Sequence, residues 1–343
     1  MHMADALLSP GTGIAMWGVA GTALALASRR VRERSDDRLV PLMGMLGAFL
    51  FAAQMINFTI PATGSSGHLG GGLLLAMLLG PHAAFVVVAS VLTVQALFFA
   101  DGGLLALGAN MFNMGVLPCF VAYPLVYRPL AGARPSNRRL AVAAMVAALL
   151  GMQLGALGVV LQTALSGISS LPLKGFLLLM LPVHAAIGVV EGLATAALVI
   201  FLRRTQPDLL PFASAHGAIG ARSMRPLVLV LAASALVTAS VLPWFASTRP
   251  DGLEWSVARA AGTHAPQAPA GGLHDRLARL QRRVAWLPDY ELPRTETSPA
   301  TVERAAWPEV KPATSMAGVI GGVVTLALVM AVGFVLHRRR ARA

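Results

Sequence analysis

The chain has 343 residues, 56% hydrophobic and only 12% charged, which excludes a soluble globule and points to a polytopic membrane protein. Its formal charge of +12 would suggest nucleic acid in a soluble domain; here the basic residues are read by how they flank membrane spans, and no nucleic-acid partner is expected. Cys119 is the single cysteine, which excludes a disulfide framework and a thiolate metal site, and neither Lys174 nor Lys311 follows a G-x-x-x-x-G run, so the chain cannot by itself be an ATPase.

The chain opens Met1-His2-Met3-Ala4-Asp5-Ala6-Leu7-Leu8-Ser9-Pro10. With a free α-amine at Met1, that amine, the His2 amide nitrogen and the His2 imidazole Nδ1 can close two fused chelate rings around one ion. Three nitrogens then lie roughly in a plane, and planar nitrogen sites favour Ni2+ or Cu2+, whereas zinc prefers a tetrahedron. His68, in the glycine-rich run Thr63 to Gly72, is the candidate fourth donor. The bland alternative is that His2 merely follows the start codon. Met1 to Pro10 lacks a basic n-region, so no cleavable signal is expected.

Gly11 to Ser28 reads as a first span, ending at Arg29, Arg30, Arg32, Arg34 and Arg38. The positive-inside rule makes that run cytoplasmic and starts the chain outside. Val40 to Asn57 returns outward, so His68 shares a side with Met1. Three crossings must then reach the basic cluster Arg128, Arg134, Arg138 and Arg139: about Leu69 to Gly80, Pro81 to Phe99, and Leu104 to Tyr127. The first is short of the ~17 residues a helix needs, so it is expected to be thin, assisted or partly re-entrant, lining a cavity. Leu140 to Leu165 and Gly175 to Leu202 complete seven spans. A cytoplasmic linker, 206–225, leads to an eighth span, Pro226 to Phe245. An external segment, 246–314, follows with nine basic and eight acidic residues, and its composition predicts weak order. A ninth span, Met316 to Leu336, ends at Arg338, Arg339, Arg340 and Arg342, leaving the C-terminus cytoplasmic. The expected fold class is an all-α polytopic membrane protein: a seven-helix bundle (1–205) and two further transmembrane helices bracketing an external loop (226–343), read as a fusion of two units.

Polar residues inside these spans are the remaining candidates. Asn110 and Asn113, three apart, share a helical face and would be costly against lipid. They either orient an imidazole and line the ion's path, or tie helices together. His184 and Glu191, seven apart, share a face of the seventh span, as a proton relay or a structural pair. Gln54 and Asn57 face one way at the end of the second span, beneath the N-terminal segment. His82 reads as a helix-end residue, with a distal ligand as the alternative, and His216, His264, His274 and His337 carry little signal. The turn Pro250-Asp251-Gly252, followed by Glu254 and Trp255, could pack against the outer mouth of the first unit.

Taken together, the residues resemble the substrate-binding (S) components of nickel/cobalt energy-coupling-factor transporters, CbiM and NikM. The resemblance covers about residues 1–205. It rests on Met1-His2 with Asp5, on Gly67-His68-Leu69-Gly70-Gly71-Gly72, and on Gly102-Gly103 through Gly108-Ala109-Asn110. The remainder resembles the two-span auxiliary subunit CbiN or NikN, whose Pro-Asp-Gly-Leu-Glu signature stands at Pro250 to Glu254. The resemblance implies that Met1, His2 and His68 hold Ni2+ or Co2+ as transported ligand, with no organic cofactor and no enzymatic activity. It also implies partners: a transmembrane coupling protein like CbiQ or NikQ and two cytoplasmic ATPases like CbiO or NikO, in a bacterial inner membrane. Asn57, Asn110, Asn113, His184 and Glu191 are the supporting and pathway candidates. One departure is Met3-Ala4-Asp5-Ala6, where many relatives read Ile-Pro-Asp-Gly; it leaves the chelate intact. Two rival readings stand beside this one: a stand-alone proton-coupled metal transporter working through His184 and Glu191, and a membrane scaffold whose His2 is incidental.

Overall fold

The computed structural model describes residues 1–34, 38–133, 135–205, 225–262, 266–268, 271–292 and 308–341. All but the last residue of the expected linker, 206–225, lies outside the described residues, as do His216 and His264. The first unit contains α1 (Pro10–Arg34), α2 (Leu39–Gln54), α3 (Gly72–Leu79), α4 (Pro81–Phe98), α5 (Leu107–Ala131), α6 (Asn137–Ser166) and α7 (Leu173–Thr205). The second contains α8 (Arg225–Ser240), α9 (Gly252–Ala261), α10 (Gly272–Val284) and α11 (Pro312–Ala341). Among the described residues, α1, α4, α5, α6, α7 and α11 are long and apolar enough to cross a membrane; α2 and α8 are shorter apolar helices. The chain is an all-α polytopic membrane protein, as its hydropathy requires.

Burial sorts the helices. In α4, 72% of the apolar window is buried inside the protein, against 17% in α1, so α4 is the axis of the bundle and α1 lies at its rim. Ile14, Trp17 and Leu26 of α1 are exposed apolar side chains of the kind that lipid covers. Small residues set the close approaches: a Cβ at Gly108 would collide with the backbone of Met16 and Trp17, and one at Gly192 with Met145. From Phe112 to Tyr127 the turns of α5 widen to i→i+5 spacing around Pro118 and Pro124.

The segment expected to make the third crossing holds only a short helix. Helix α3 has 8 residues, about 12 Å, whereas its neighbour α4, joined to it through Gly80, has 18, about 27 Å. An irregular stretch, which carries His68, precedes α3 and is buried inside the protein. Backbone buried there must find its partners inside the protein, and it does. Glu191 Oε2 and Oε1 accept from Gly70 and Gly71 N–H, both at 3.0 Å, and Gln54 Nε2 donates to Gly70 O at 3.0 Å. Gly71, at φ 72°, makes the left-handed turn into α3.

The second unit clasps the first. Gly44 and Gly47 of α2 face Met330, Leu326 and Val329 of α11, and Gly321 of α11 faces Phe51. The segment between α8 and α11 departs from the expectation of weak order, because its described part folds into α9 and α10 and is held by the N-terminal segment and the α4–α5 turn. Gln281 Nε2 donates to Ala96 O at 2.9 Å and Gly102 O at 2.8 Å, and His274 Nε2 bonds Leu8 O at 2.8 Å. Composition could not show this, since the partners are main-chain carbonyls of the other unit.

Candidate metal centre

The N-terminal segment enters the first unit rather than lying on it. Met1, Met3, Leu7 and Leu8 are buried. Asn110 clamps Met3 on both sides: its Oδ1 accepts from Met3 N at 2.8 Å and its Nδ2 donates to Met3 O at 3.3 Å. Gly103 N–H also donates to Met3 O, at 2.9 Å, and Asp5 Oδ1 accepts from Ala106 N at 2.9 Å. A Cβ on Gly103 would overlap the Asp5 carboxylate, so the glycine is needed there. These contacts fix the first residues against α5.

The fixed segment carries His2 onto His68. The two imidazoles stack with centroids 5.1 Å apart and planes inclined by 19°. The His68 Nδ1–H donates to Leu69 O at 3.1 Å, which leaves Nε2 as a bare lone pair; that atom is buried and has no partner among the described residues. His2 Nδ1 lies 3.2 Å from Asp101 Oδ1, and His2 Nε2 lies 3.2 Å from Gln95 Oε1. Burial lowers the His2 pKa below its ordinary value, with Asp101 opposing. Among the described residues no three His, Cys, Asp or Glu side chains gather where they could hold a metal.

The second unit reaches this point through its turn. Ser66 N–H donates to Pro250 O at 2.8 Å, and the Met1 ammonium donates to Asp251 Oδ2 at 3.1 Å. Burial alone would push the Asp251 carboxyl up, but the adjacent ammonium and the Glu254 N–H hold it well below the carboxylate range. Asp251 also caps α9 in a reciprocal box with Glu254. Two clefts, of about 440 and 470 Å3, both open onto His2 and share Asp101, Asp251, Glu254 and Asp289. Tyr290 Oη–H donates to Asp101 Oδ2 at 2.6 Å across the same rim.

The other candidates divide. Asn113 bonds Gln162 (Nδ2 to Oε1, 2.8 Å) and lies beneath Met3, its Nδ2 3.8 Å from the sulfur. Asn57 borders one cleft, and its main-chain oxygen accepts from Ser247 N at 2.7 Å. His184 and Glu191 are both buried but have separate attachments. The His184 Nδ1–H donates to Met180 O at 2.8 Å, and both Glu191 oxygens serve the His68 turn. Sequence reasoning missed Gln95, Asp101 as a neighbour of His2, and the roles of His274 and Tyr290. A glutamine near the end of a mostly apolar span was a usable signal, because a buried amide must find partners.

Fold and site thus define a polytopic membrane protein whose second unit closes over the buried first residues of the chain. Residues 2–209 match the family described as CbiM, cobalt uptake substrate-specific transmembrane region, and residues 225–338 match the PDGLE domain. The chain belongs to the CbiM family, joined to a PDGLE domain like that of the auxiliary subunits. It is 33% identical over 338 residues, 98% of each chain, to a protein of Archaeoglobus fulgidus provisionally named a fused nickel transport protein NikMN. It is 35% identical to the cobalt transport protein CbiM of Geobacter sulfurreducens, with 68% of each chain covered. A crystal structure described as a transition metal transporter superposes at TM-score 0.53 and 32% identity, covering 60% of this chain and 93% of that one.

Proposed function

We propose that this protein is the metal-capturing component of an ATP-driven Ni2+ or Co2+ importer in a bacterial inner membrane. On this reading the α-amine of Met1, the amide and Nδ1 of His2, and Nε2 of His68 hold the ion in a planar nitrogen site. The supporting observation is the stacked pair of imidazoles at 5.1 Å beside the Met1 amine, with a buried, bare Nε2 on His68. Relatives named for nickel and for cobalt transport support the class of cargo.

The chemistry follows from the donors. The carboxylates around the two clefts attract a dication, and His2 lines both clefts. Binding replaces protons on the amine and amide, so affinity falls as pH falls. The amine must also leave Asp251, which couples loading to the docking of the second unit. On this reading the site opens outward, the C-terminus is cytoplasmic, and residues 1–205 and 226–343 act as capture unit and loading unit joined by 206–225. A transmembrane coupling protein and two cytoplasmic ATPases supply the energy, and the chain is not itself an enzyme. A proton-coupled route through His184 and Glu191 has less support, because both Glu191 oxygens are occupied by backbone amides.

The test compares Ni2+ and Co2+ binding by the purified full chain, His2→Ala, His68→Ala, and a variant with one residue added before Met1. Loss of binding in all three is expected. Retention by the extended variant would remove the amine from the site and overturn the reading.

A further inference from the structure

Between the two histidines runs a line of buried amides. His2 Nε2 faces Gln95 Oε1 at 3.2 Å, Gln95 Nε2 donates to Gln54 Oε1 at 2.9 Å, and Gln54 Nε2 donates to Gly70 O at 3.0 Å. Gln54 is 5% exposed and Gln95 0%, so both amides are buried and depend on these partners. The direction of this line is fixed by its far end. A carbonyl can only accept, so Gly70 O requires the amino group of Gln54. Gln54 must then turn its oxygen to Gln95, which must present its amino group and turn its own oxygen to His2. Flipping either glutamine sets like against like. His2 Nε2 is thereby required to carry a hydrogen.

The two faces of the ring are therefore unequal. Nδ1 also meets an acceptor, Asp101 Oδ1, whose side chain is 24% exposed and borders both clefts. Among the described residues its other oxygen is tied only by Tyr290 Oη–H, so Asp101 can turn away by leaving Tyr290. Gln95 cannot, because Gln54 and Gly70 hold it.

We propose that Gln54 and Gln95 are positioning residues of the metal centre. They keep the proton on His2 Nε2 so that Nδ1 is the ring atom surrendered to the ion, and they tie that ring to the His68 turn at Gly70. This rests on the N-terminal site proposed above. His68 is fixed in the opposite sense, with Nδ1–H on Leu69 O and Nε2 bare, so the two histidines serve the ion through different ring atoms. A ligating imidazole generally donates its other N–H to an acceptor that sets its orientation; here that acceptor is a glutamine whose own orientation comes from the second ligand's loop.

The test uses the full chain with 15N-labelled histidine, loaded with Ni2+, whose planar nitrogen complexes are diamagnetic and open to NMR. The expected wild-type signature is a slowly exchanging His2 Nε2–H, identified by its absence in His2→Ala. Gln95→Leu should lose that protection and bind Ni2+ about 10- to 100-fold more weakly. Gln95→Glu should keep the protected N–H, since a carboxylate still accepts, while losing the Gln54 link and part of the affinity. Absence of a protonated Nε2 on His2 in the loaded wild type overturns the proposal without any variant having to fold. So does wild-type affinity in Gln95→Leu when His2→Ala binds nothing. If His2→Ala and the N-terminal extension bind normally, the site itself fails and takes the relay with it.

Discussion

Two pairs of ionisable residues stand out in this chain, and the fold treats them oppositely. His2 and His68 are far apart in sequence, yet their rings stack at 5.1 Å. His184 and Glu191 share one face of one helix, yet each is bonded elsewhere: His184 to Met180 O, Glu191 to the amides of Gly70 and Gly71. Sharing a helical face aligns side chains without making them partners. What packs against the face decides, and against Glu191 lies the irregular turn ahead of α3 with two amides to satisfy. The acid satisfies two buried main-chain amides of an irregular stretch, and that stretch carries His68.

The comparison can be broken most severely at the first pair. His2→Ala, His68→Ala and the one-residue N-terminal extension should each weaken Ni2+ binding by about 100-fold or more, judged against the 10- to 100-fold typical of supporting partners alone. Calorimetric titration of the purified protein reads this directly. Glu191→Gln comes next. It retains one acceptor but sets an amino group against an N–H, loosening the His68 turn, and should cost about 10-fold in affinity. If Glu191 instead served only as a proton carrier, the substitution would slow uptake and leave equilibrium binding intact.

Asp251→Asn is a gentler probe. Asparagine still caps α9, so the loss is that of the charge on the Met1 ammonium, about 2 kcal/mol of stability. The sign of its pH dependence follows from the lowered pKa. A carboxylate depressed in the folded state adds stability that is fully present above its unfolded value, about 3.9, and is lost as pH falls through the lower folded one. Melting temperatures of wild type and Asp251→Asn should therefore differ constantly from neutrality to about pH 4 and converge below. The smallest effect belongs to His184→Gln, which should leave Ni2+ affinity unchanged. A large loss there would return the second pair to the centre of the mechanism.

Much of this was legible because the signals were local. Apolar runs separated by arginine clusters placed the spans, and a histidine at position 2 with another in a glycine-rich loop named the two rings. The Pro250–Asp251–Gly252 turn was readable as packing on the first unit, but not that its acid would take the Met1 amine, because that contact joins residues 250 positions apart. Gln95 was hidden for a related reason. Its meaning lies in a relay through α2 and the His68 turn, and no periodicity within α4 encodes it. The order of α9 and α10 was obscured by composition, since polar helices that cap another surface read much like solvated chain.

The covalent link between the two units changes how the cap on this site responds to its surroundings. Were Asp251 carried on a separate chain, the fraction of centres it reaches would follow subunit abundance and dilution. Borne on the same polypeptide and closed onto Ser66 and Met1, it meets the amine at an effective concentration set by geometry alone. Uncovering the centre is then a unimolecular event, with a rate belonging to each molecule and independent of how many copies the membrane holds.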